Sequence, residues 1–531
     1  MATRKIVSVK NKSVDKKQEF VKHAKALNRT FYEWFNSQIS KDSASDLVDS
    51  AQDYLAYLAS LQDRYLRSHG EVLTFGSGDC GQLAHGTDNE EDMLVKFPRI
   101  VYSLRDKKVC MISCGGLHNA VVTETGHVYT WGCSDDGSLG RGGEEEQPEL
   151  VTSLADAGES IIRVGCGDGQ TVAVTTSGSV YGWGCFKDKE GKKWFSPDTT
   201  SSGNSSEPEK TIKRQQDTPM KIDGLQGVVD VTCGGVMCLA QLRDGSILSW
   251  GIGECGELGR DVCVLRENED VGYDFKGILR DHLTPGPMYV EVSSPAGKKQ
   301  IKVSGVRTMG CGVYHSMVVV GGGSGAAGIP GGLYCTGLNN YGQLGFGNTT
   351  NSNYLKKVEC AAMDAELESG AFDTVVSCAG GMHHSCVSMA SGRVFCFGRG
   401  DNGQLGIKRY SYVGGGEAGG YLETPQEVPL GDNKNSNNNK NNNNIVKTIP
   451  NKNKVIEVAC GGSHTLALTK DGDLYSWGYG DMMALGHGKD ADEPEPRKVS
   501  FQKAKLDGFV GKQISGGGQH SAIIARVESV R

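Results

Sequence analysis

Two hydrophobic periods divide the chain. Between Phe20 and Tyr65 apolar residues recur every three or four positions: Phe20, Ala24, Leu27, Phe31, Trp34 and Phe35, then Leu47, Ala51, Tyr54, Leu58, Leu61 and Tyr65. That spacing places one apolar stripe on each of two helices. Asp42, Ser43, Ser45 and Asp46 occupy the break and are good N-cap types for the second helix. A small helical hairpin is therefore expected over residues 14–68. From Glu71 the period becomes two, as in His127-Val128-Tyr129-Thr130-Trp131-Gly132, which is the alternation of a strand.

The strand region is organised by a recurring string. It appears first as Gly-Ser-Gly-Asp-Cys-Gly-Gln-Leu over residues 76–83 and returns, usually as Trp-Gly-x-x-x-x-Gly-x-Leu-Gly, in copies ending at Gly140, Gly259, Gly345, Gly406 and Gly486. A degenerate copy begins Trp183-Gly184-Cys185-Phe186. The first glycines fall at 76, 132, 184, 251, 337, 398 and 478, a period of repeated supersecondary units. Each unit also carries a turn patterned on Cys-Gly-Gly-x-His and followed by an apolar strand, complete in Cys114-Gly115-Gly116-Leu117-His118 and varied in others. His118, His315, His383, His464 and His520 are read as occupying one repeat slot, where a histidine can either bond the neighbouring unit or meet a partner.

Several antiparallel strands per unit, none able to bury a face alone, make a propeller blade. The first unit has only the second half of the motif and the last has only the first half. The strand after Gly518 should therefore pair beside residues 72–75, closing a seven-bladed β-propeller over residues 69–531 and removing its open edges.

Composition modifies this picture little. The chain has 531 residues, 75 of them glycine, and a net charge of −7, so contact with nucleic acid needs a local basic patch. Residues 1–30 supply one: nine Lys/Arg against Asp15 and Glu19, net +7. This tail, taken as disordered over residues 1–13, reads either as a solvated terminus or as a nuclear import signal or nucleic-acid arm. Seventeen cysteines follow the repeat rather than a metal-ligand spacing, and no secretory signal opens the chain. Free, packed thiols in a reducing compartment are expected. No apolar run approaches the roughly 20 residues of a membrane span. Residues 321–332 and the Asn-rich run 432–444 read as surface loops.

The seven copies of Trp-Gly-x-x-x-x-Gly-x-Leu-Gly with Gly-Gly-x-His resemble the regulator of chromosome condensation family. The likeness spans residues 70 to about 526. Trp183-Gly184-Cys185-Phe186-Lys187-Asp188-Lys189-Glu190-Gly191 resembles the β-wedge of the family's exchange factor for the GTPase Ran. The strings Gly337-Leu338-Asn339-Asn340-Tyr341 and Gly380-Gly381-Met382-His383-His384, with the long loop after Arg260, share this likeness.

The resemblance implies a nuclear guanine-nucleotide exchange factor for a Ran-type GTPase, acting in nucleocytoplasmic transport and on chromatin, without covalent chemistry and without a cofactor or metal. It assigns exchange roles to Asp168, His383, Arg260, Phe186, Lys187, Asp188, Lys189 and Glu190, and a GTPase-binding face to Asp79, His118 and His520. Asp168 stands where most units have a second glycine, so the fold does not demand it. At Gly234-Gly235-Val236-Met237 the family's factor has an acid followed by histidine, and this chain has neither. Chromatin or DNA would meet the basic tail. Loop 266–285, a nucleosome contact in the family, is here of mixed charge.

Leu27-Asn28-x-x-Phe31-x-x-Trp34, Asp46-Leu47 and Asp53-Tyr54-x-x-Tyr57-Leu58 are similar to a helical segment of an importin-binding nucleoporin, which would make importin a partner. A hairpin that only packs on the propeller or forms a dimer accounts for the same residues. No phosphate cradle, paired Cys-x-x-Cys or nucleophile elbow occurs, which argues against a kinase or hydrolase. The rival reading is a non-catalytic repeat scaffold for protein or chromatin. A related ultraviolet-sensing class needs clustered tryptophans, and Trp131, Trp183, Trp194, Trp250 and Trp477 lie singly.

Overall fold

The computed structural model describes residues 69–197, 212–263, 274–294, 297–321, 329–367, 372–407, 413–416, 419–430, 445–446 and 454–528. The basic tail, the N-terminal hairpin, the Asn-rich run and most of the 321–332 insertion lie outside these residues.

Seven antiparallel sheets form a β-propeller. Blade 1 runs from the inner strand Val109–Cys114 through His118–Thr123 and Val128–Gly132 to Glu149–Leu150. Blades 2 to 6 begin with inner strands Ile161–Cys166, Val228–Cys233, Val306–Cys311, Val375–Gly380 and Val455–Cys460. Blade 7 is composite. The C-terminal strand His520–Val527 lies between Phe509–Gly516 and the N-terminal strand Glu71–Ser77, in the register Val72↔Ile524 to Gly76↔His520. The expected closure is present, and it leaves no open edge where the two ends of the ring meet.

The repeat string is explained by this packing. The glycine that ends each third strand adopts φ between 92° and 122°, outside the range of ordinary side chains. A Cβ at Gly132 would also sit 2.4 Å from the Leu117 carbonyl oxygen and 2.7 Å from His118 Cα. The leucines of the loops that follow (Leu83, Leu139, Leu258, Leu344, Leu405 and Leu485) are at most 1% exposed and plug the space between blades. Trp131, Trp183 and Trp477 donate their indole N–H to loop carbonyls of Gln82, Ser138 and Gln404.

A belt of hydrogen bonds ties blade to blade. Nε2 of His118 reaches Thr171 Oγ1 at 2.8 Å, His315 reaches Ser385, His384 reaches Thr465, His464 reaches Ser521, and His520 reaches Asn119 Oδ1 across the closure. Each Ser or Thr hydroxyl in turn donates to a loop carbonyl, so it must accept from a protonated Nε2, which fixes the tautomer. Gln170 performs this role in blade 2, donating to the Gly234 carbonyl at 2.9 Å. Met237 fills the slot in blade 3 and gives no such bond.

The slot corrects one reading of the sequence. His384, not His383, pairs opposite the strand-ending Gly398, as His118 pairs opposite Gly132. The doubled histidine allowed either alignment, and the register chooses the second. A further difference lies in the stretch 266–285. Within it, Phe275–Leu283 is a helix, N-capped by Asp274, whose Oδ1 accepts from Gly277 N–H, and buries Leu279 and Leu283 against blade 3.

All seventeen cysteines are free. Burial pushes the Cys166 and Cys378 thiols up to about 12, consistent with packing rather than nucleophilic use. Among the described residues no helix is long and apolar enough to cross a membrane, and none form a His, Cys, Asp and Glu group that could hold a metal.

Candidate functional site

The inner strands of the seven blades enclose a central channel of about 300 Å³. At one end it opens into a hollow of about 570 Å³ lined by Leu117, Asp136, Asp168, Lys187, Met382 and Gln519, among others. The two residues before each belt position form the rim of this mouth, so its chemistry is set by departures from glycine at those places. The ionisable and aromatic ones are Asp168 in blade 2, Tyr314 in blade 4 and His383 in blade 5.

Asp168 is reached by solvent from the mouth, with its carboxylate between Gly116 and Gly235 of the flanking blades. A Cβ at position 235 would lie 3.0 Å from Oδ2. Protein on the remaining sides removes most of its water shell, and this burial raises its pKa; Lys187 opposes the shift and Asp136 adds to it.

Beside it, the degenerate third copy of the repeat forms a two-stranded hairpin, Phe186–Lys187 against Lys193–Trp194. Asp188 organises the turn: one carboxylate oxygen accepts from the N–H groups of Glu190 and Lys192, the other from the Trp194 indole at 2.8 Å. The hairpin is braced on both sides. Asp136 from the blade 1 loop takes Lys187 at 2.6 Å and Lys193 at 3.1 Å. Burial acts to raise the Asp136 carboxyl, but the two ammonium groups hold it below its ordinary value. On the other flank, Glu254 from blade 3 accepts from Lys189 N–H at 3.0 Å and lies 3.6 Å from its Nζ.

On the blade 5 side, His383 is half-buried between rings, 6.1 Å from Tyr314 and 5.0 Å from Tyr341 between centroids. Arg399 covers the Tyr341 ring at 5.2 Å and pairs with Asp401. Burial lowers the His383 pKa, Arg399 adds to this and Asp401 opposes it.

The structure thus gathers Asp168 and Lys187 at one hollow, with residues 188–190 following in the hairpin turn, and sets His383 on another part of the rim. Asp79 is exposed on the loop after Gly76. Four expected site residues have internal duties instead. His118 and His520, each at most 1% exposed, belong to the belt. Phe186, 2% exposed, anchors the hairpin in the core and stacks on Phe195. Arg260 turns inward, donating to the carbonyls of Asp281 and Thr284 at the C-terminal end of the helix, where a guanidinium suits the dipole. Asp136 and Glu254 were not foreseen. Their only sequence signal is an acid in the loop preceding Gly-Ser-Leu or Gly-Glu-Leu, which the repeat leaves variable.

The structure is a seven-bladed propeller with one blade's loop converted into a braced hairpin. The family model described as an RCC1-like domain matches residues 71–523, and the chain belongs to this family. It is 29% identical over 474 residues to the human Regulator of chromosome condensation, covering 87% of this chain and 92% of the human protein. It is 26% identical to the Ultraviolet-B receptor UVR8 of Arabidopsis thaliana, over 83% of this chain and 80% of that one, so the fold serves more than one role. Among solved structures it resembles Prp20p of Saccharomyces cerevisiae, described with its binding to Gsp1p and histones, at a TM-score of 0.67 and 22% identity over 88% of this chain and 95% of that one. The same yeast protein bound to Kap60 gives 0.65, again at 22% identity, over 88% of this chain and 92% of that one.

Proposed function

We propose that the protein is a guanine-nucleotide exchange factor for a small GTPase of the Ran type. The observation that carries this reading is the hairpin at 186–194, held by Asp136 and Glu254 beside Asp168. Exchange needs no covalent step. A factor that binds the nucleotide-free GTPase better than the loaded one lowers nucleotide affinity by the same coupling. The phosphates of a bound nucleotide are held by a lysine, backbone amides and Mg²⁺. A braced hairpin can displace the metal, Asp168 can compete for the lysine, and His383 with its tyrosines offers an aromatic contact to the partner. A nuclear location, chromatin or DNA contact through the basic tail and importin contact near the N-terminal hairpin complete the proposal, supported by the names of the relatives.

The test is release of fluorescent nucleotide from a panel of small GTPases. Replacing residues 187–190 by a Gly/Ser turn should reduce release ~100-fold or more, about 2.7 kcal/mol, with folding retained. Asp168→Ala should also lower it. Unchanged release in both variants refutes the proposal and leaves the scaffold reading, which is favoured by one observation: Val236 and Met237 carry no charge beside Asp168, and Met237 is fully buried.

A further inference from the structure

Blade 4 differs from the other six in having six strands. Beyond its fourth strand, Ser352–Lys357, lies an added hairpin, Tyr289–Ser294 paired with Gly297–Lys302. The hairpin is fixed at its base. Met288, Val290, Val303 and Leu355 are buried together, and Val290 bridges Leu355 in parallel. Among the described residues no strand pairs with the far side of its outer strand, Gly297–Lys302, which is exposed along its length except at Ile301. From Lys298 to Lys302 a row of backbone N–H and C=O groups is therefore presented to solvent on a rigid support.

The strand carries Lys298, Lys299 and Lys302, and Lys356 lies close by on the fourth strand. Glu291 neutralises only part of this charge, lying 2.9 Å from Lys298 and 3.9 Å from Lys356. Lysines on an edge strand are a common guard against edge-to-edge pairing. The guard is selective by sign. A second copy of this chain would bring its own lysines against these three, and a basic or neutral strand gains nothing from them. An acidic strand is attracted to the same edge, because cross-strand opposite charges are favourable.

We propose that Lys298–Lys302 is a docking edge for an extended acidic segment of another protein, which joins blade 4 as a seventh strand. Main-chain hydrogen bonds supply the affinity and the lysines the choice of partner. Both faces of the strand contribute, since Lys298 and Lys302 share one face and Lys299 lies on the other.

The experiment uses the full-length protein and a fluorescent peptide alternating Glu and Val. Anisotropy should show binding at low salt that is at least ~10-fold tighter than for the Lys/Val counterpart. It should weaken at least ~10-fold in Lys299→Glu/Lys302→Glu, whose melting stays unchanged because both side chains are exposed. N-methylation of alternate peptide residues tests the strand geometry: one alternating set should lose binding and the other retain it. Hydrogen exchange at 297–302 should slow when the peptide binds. Equal binding of acidic and basic peptides, or of both N-methylated sets, overturns the proposal. So does duplex DNA outcompeting the acidic peptide for the same lysines without slowing exchange, which would make the edge a phosphate-binding surface instead.

Discussion

Glu257 gives the sharpest energetic prediction. It occupies the loop position held by Gln82, Gln343 and Gln404 in three other blades. There the side-chain oxygen accepts the N–H two residues earlier at 2.8–2.9 Å, as Glu257 does from Cys255 at 2.8 Å. A carboxyl thus sits where the repeat uses an amide, 1% exposed, and burial raises its pKa from 4.5 to about 7, with Glu254 adding to the shift against backbone N–H groups that lower it. Below pH 4.5 the group is protonated folded and unfolded, and costs nothing. As pH rises toward 7 the unfolded chain ionises first, so stability falls; above 7 the loss is complete. A rise of 2.5 pH units corresponds to about 3 kcal/mol. Glu257→Gln removes this pH-dependent cost but gives up an acceptor for the loop N–H groups, so a net gain of about 1–3 kcal/mol is expected at pH 8. For a chain of this size that is about 1–3 °C in Tm. Calorimetry of both proteins from pH 5 to 8 should show the difference growing with pH and near zero at pH 5. A constant difference, or a variant less stable at pH 8, refutes the reasoning.

Two further outcomes follow from the ring. Deleting residues 518–531 removes the strand between Glu71–Ser77 and Phe509–Gly516, so the melt should broaden and shift down by many degrees; a truncated protein that melts like the full chain would exclude closure as the source of cooperativity. His464→Leu should cost about 2–4 kcal/mol, because it breaks the bond to Ser521 and leaves a buried hydroxyl with one partner fewer. Met237→Leu at the same slot should cost under about 1.5 kcal/mol by urea titration, since no belt bond is lost there, and equal costs would mean that the belt adds nothing to stability.

The blade count, the closure and the turn glycines were legible because the repeat is itself a packing code: the same local clash and the same interblade bond recur in every unit. Reading errors arose where a unit permits two registers or turns a side chain inward. The doubled His383-His384 is resolved only by the pairing of His384 with Gly398. Arg260 looked available to a partner because nothing local revealed that a helix end would lie beneath it. That helix was itself readable: Asp274 as cap, then Phe275, Ile278, Leu279 and Leu283 at helical spacing. The mixed charge of the surrounding loop hid it. Asp136 and Glu254 were beyond sequence reasoning, because each acts on a hairpin from a neighbouring blade, at separations along the chain of 51 and 65 residues from Lys187 and Lys189.

The departures that remove a belt histidine or a leucine plug fall in two neighbouring blades. Asp168 for glycine, Gln170 for histidine and the hairpin for Gly-x-Leu-Gly fall in blade 2; Met237 for histidine and Glu257 for glutamine fall in blade 3. A repeat blade that loses a packing residue loses stability, so such losses persist where something else requires them. Here the loop that lost its leucine plug became a hairpin, Phe186 refilled the core in the plug's stead, and the acids of the two flanking blades fixed its tip. The junction between blades 3 and 4 gave up its belt bond beside the same mouth. Packing given up by the repeat in this sector is thus replaced by charge pairs to Asp136 and Glu254, which fix the hairpin on which the proposed exchange activity rests.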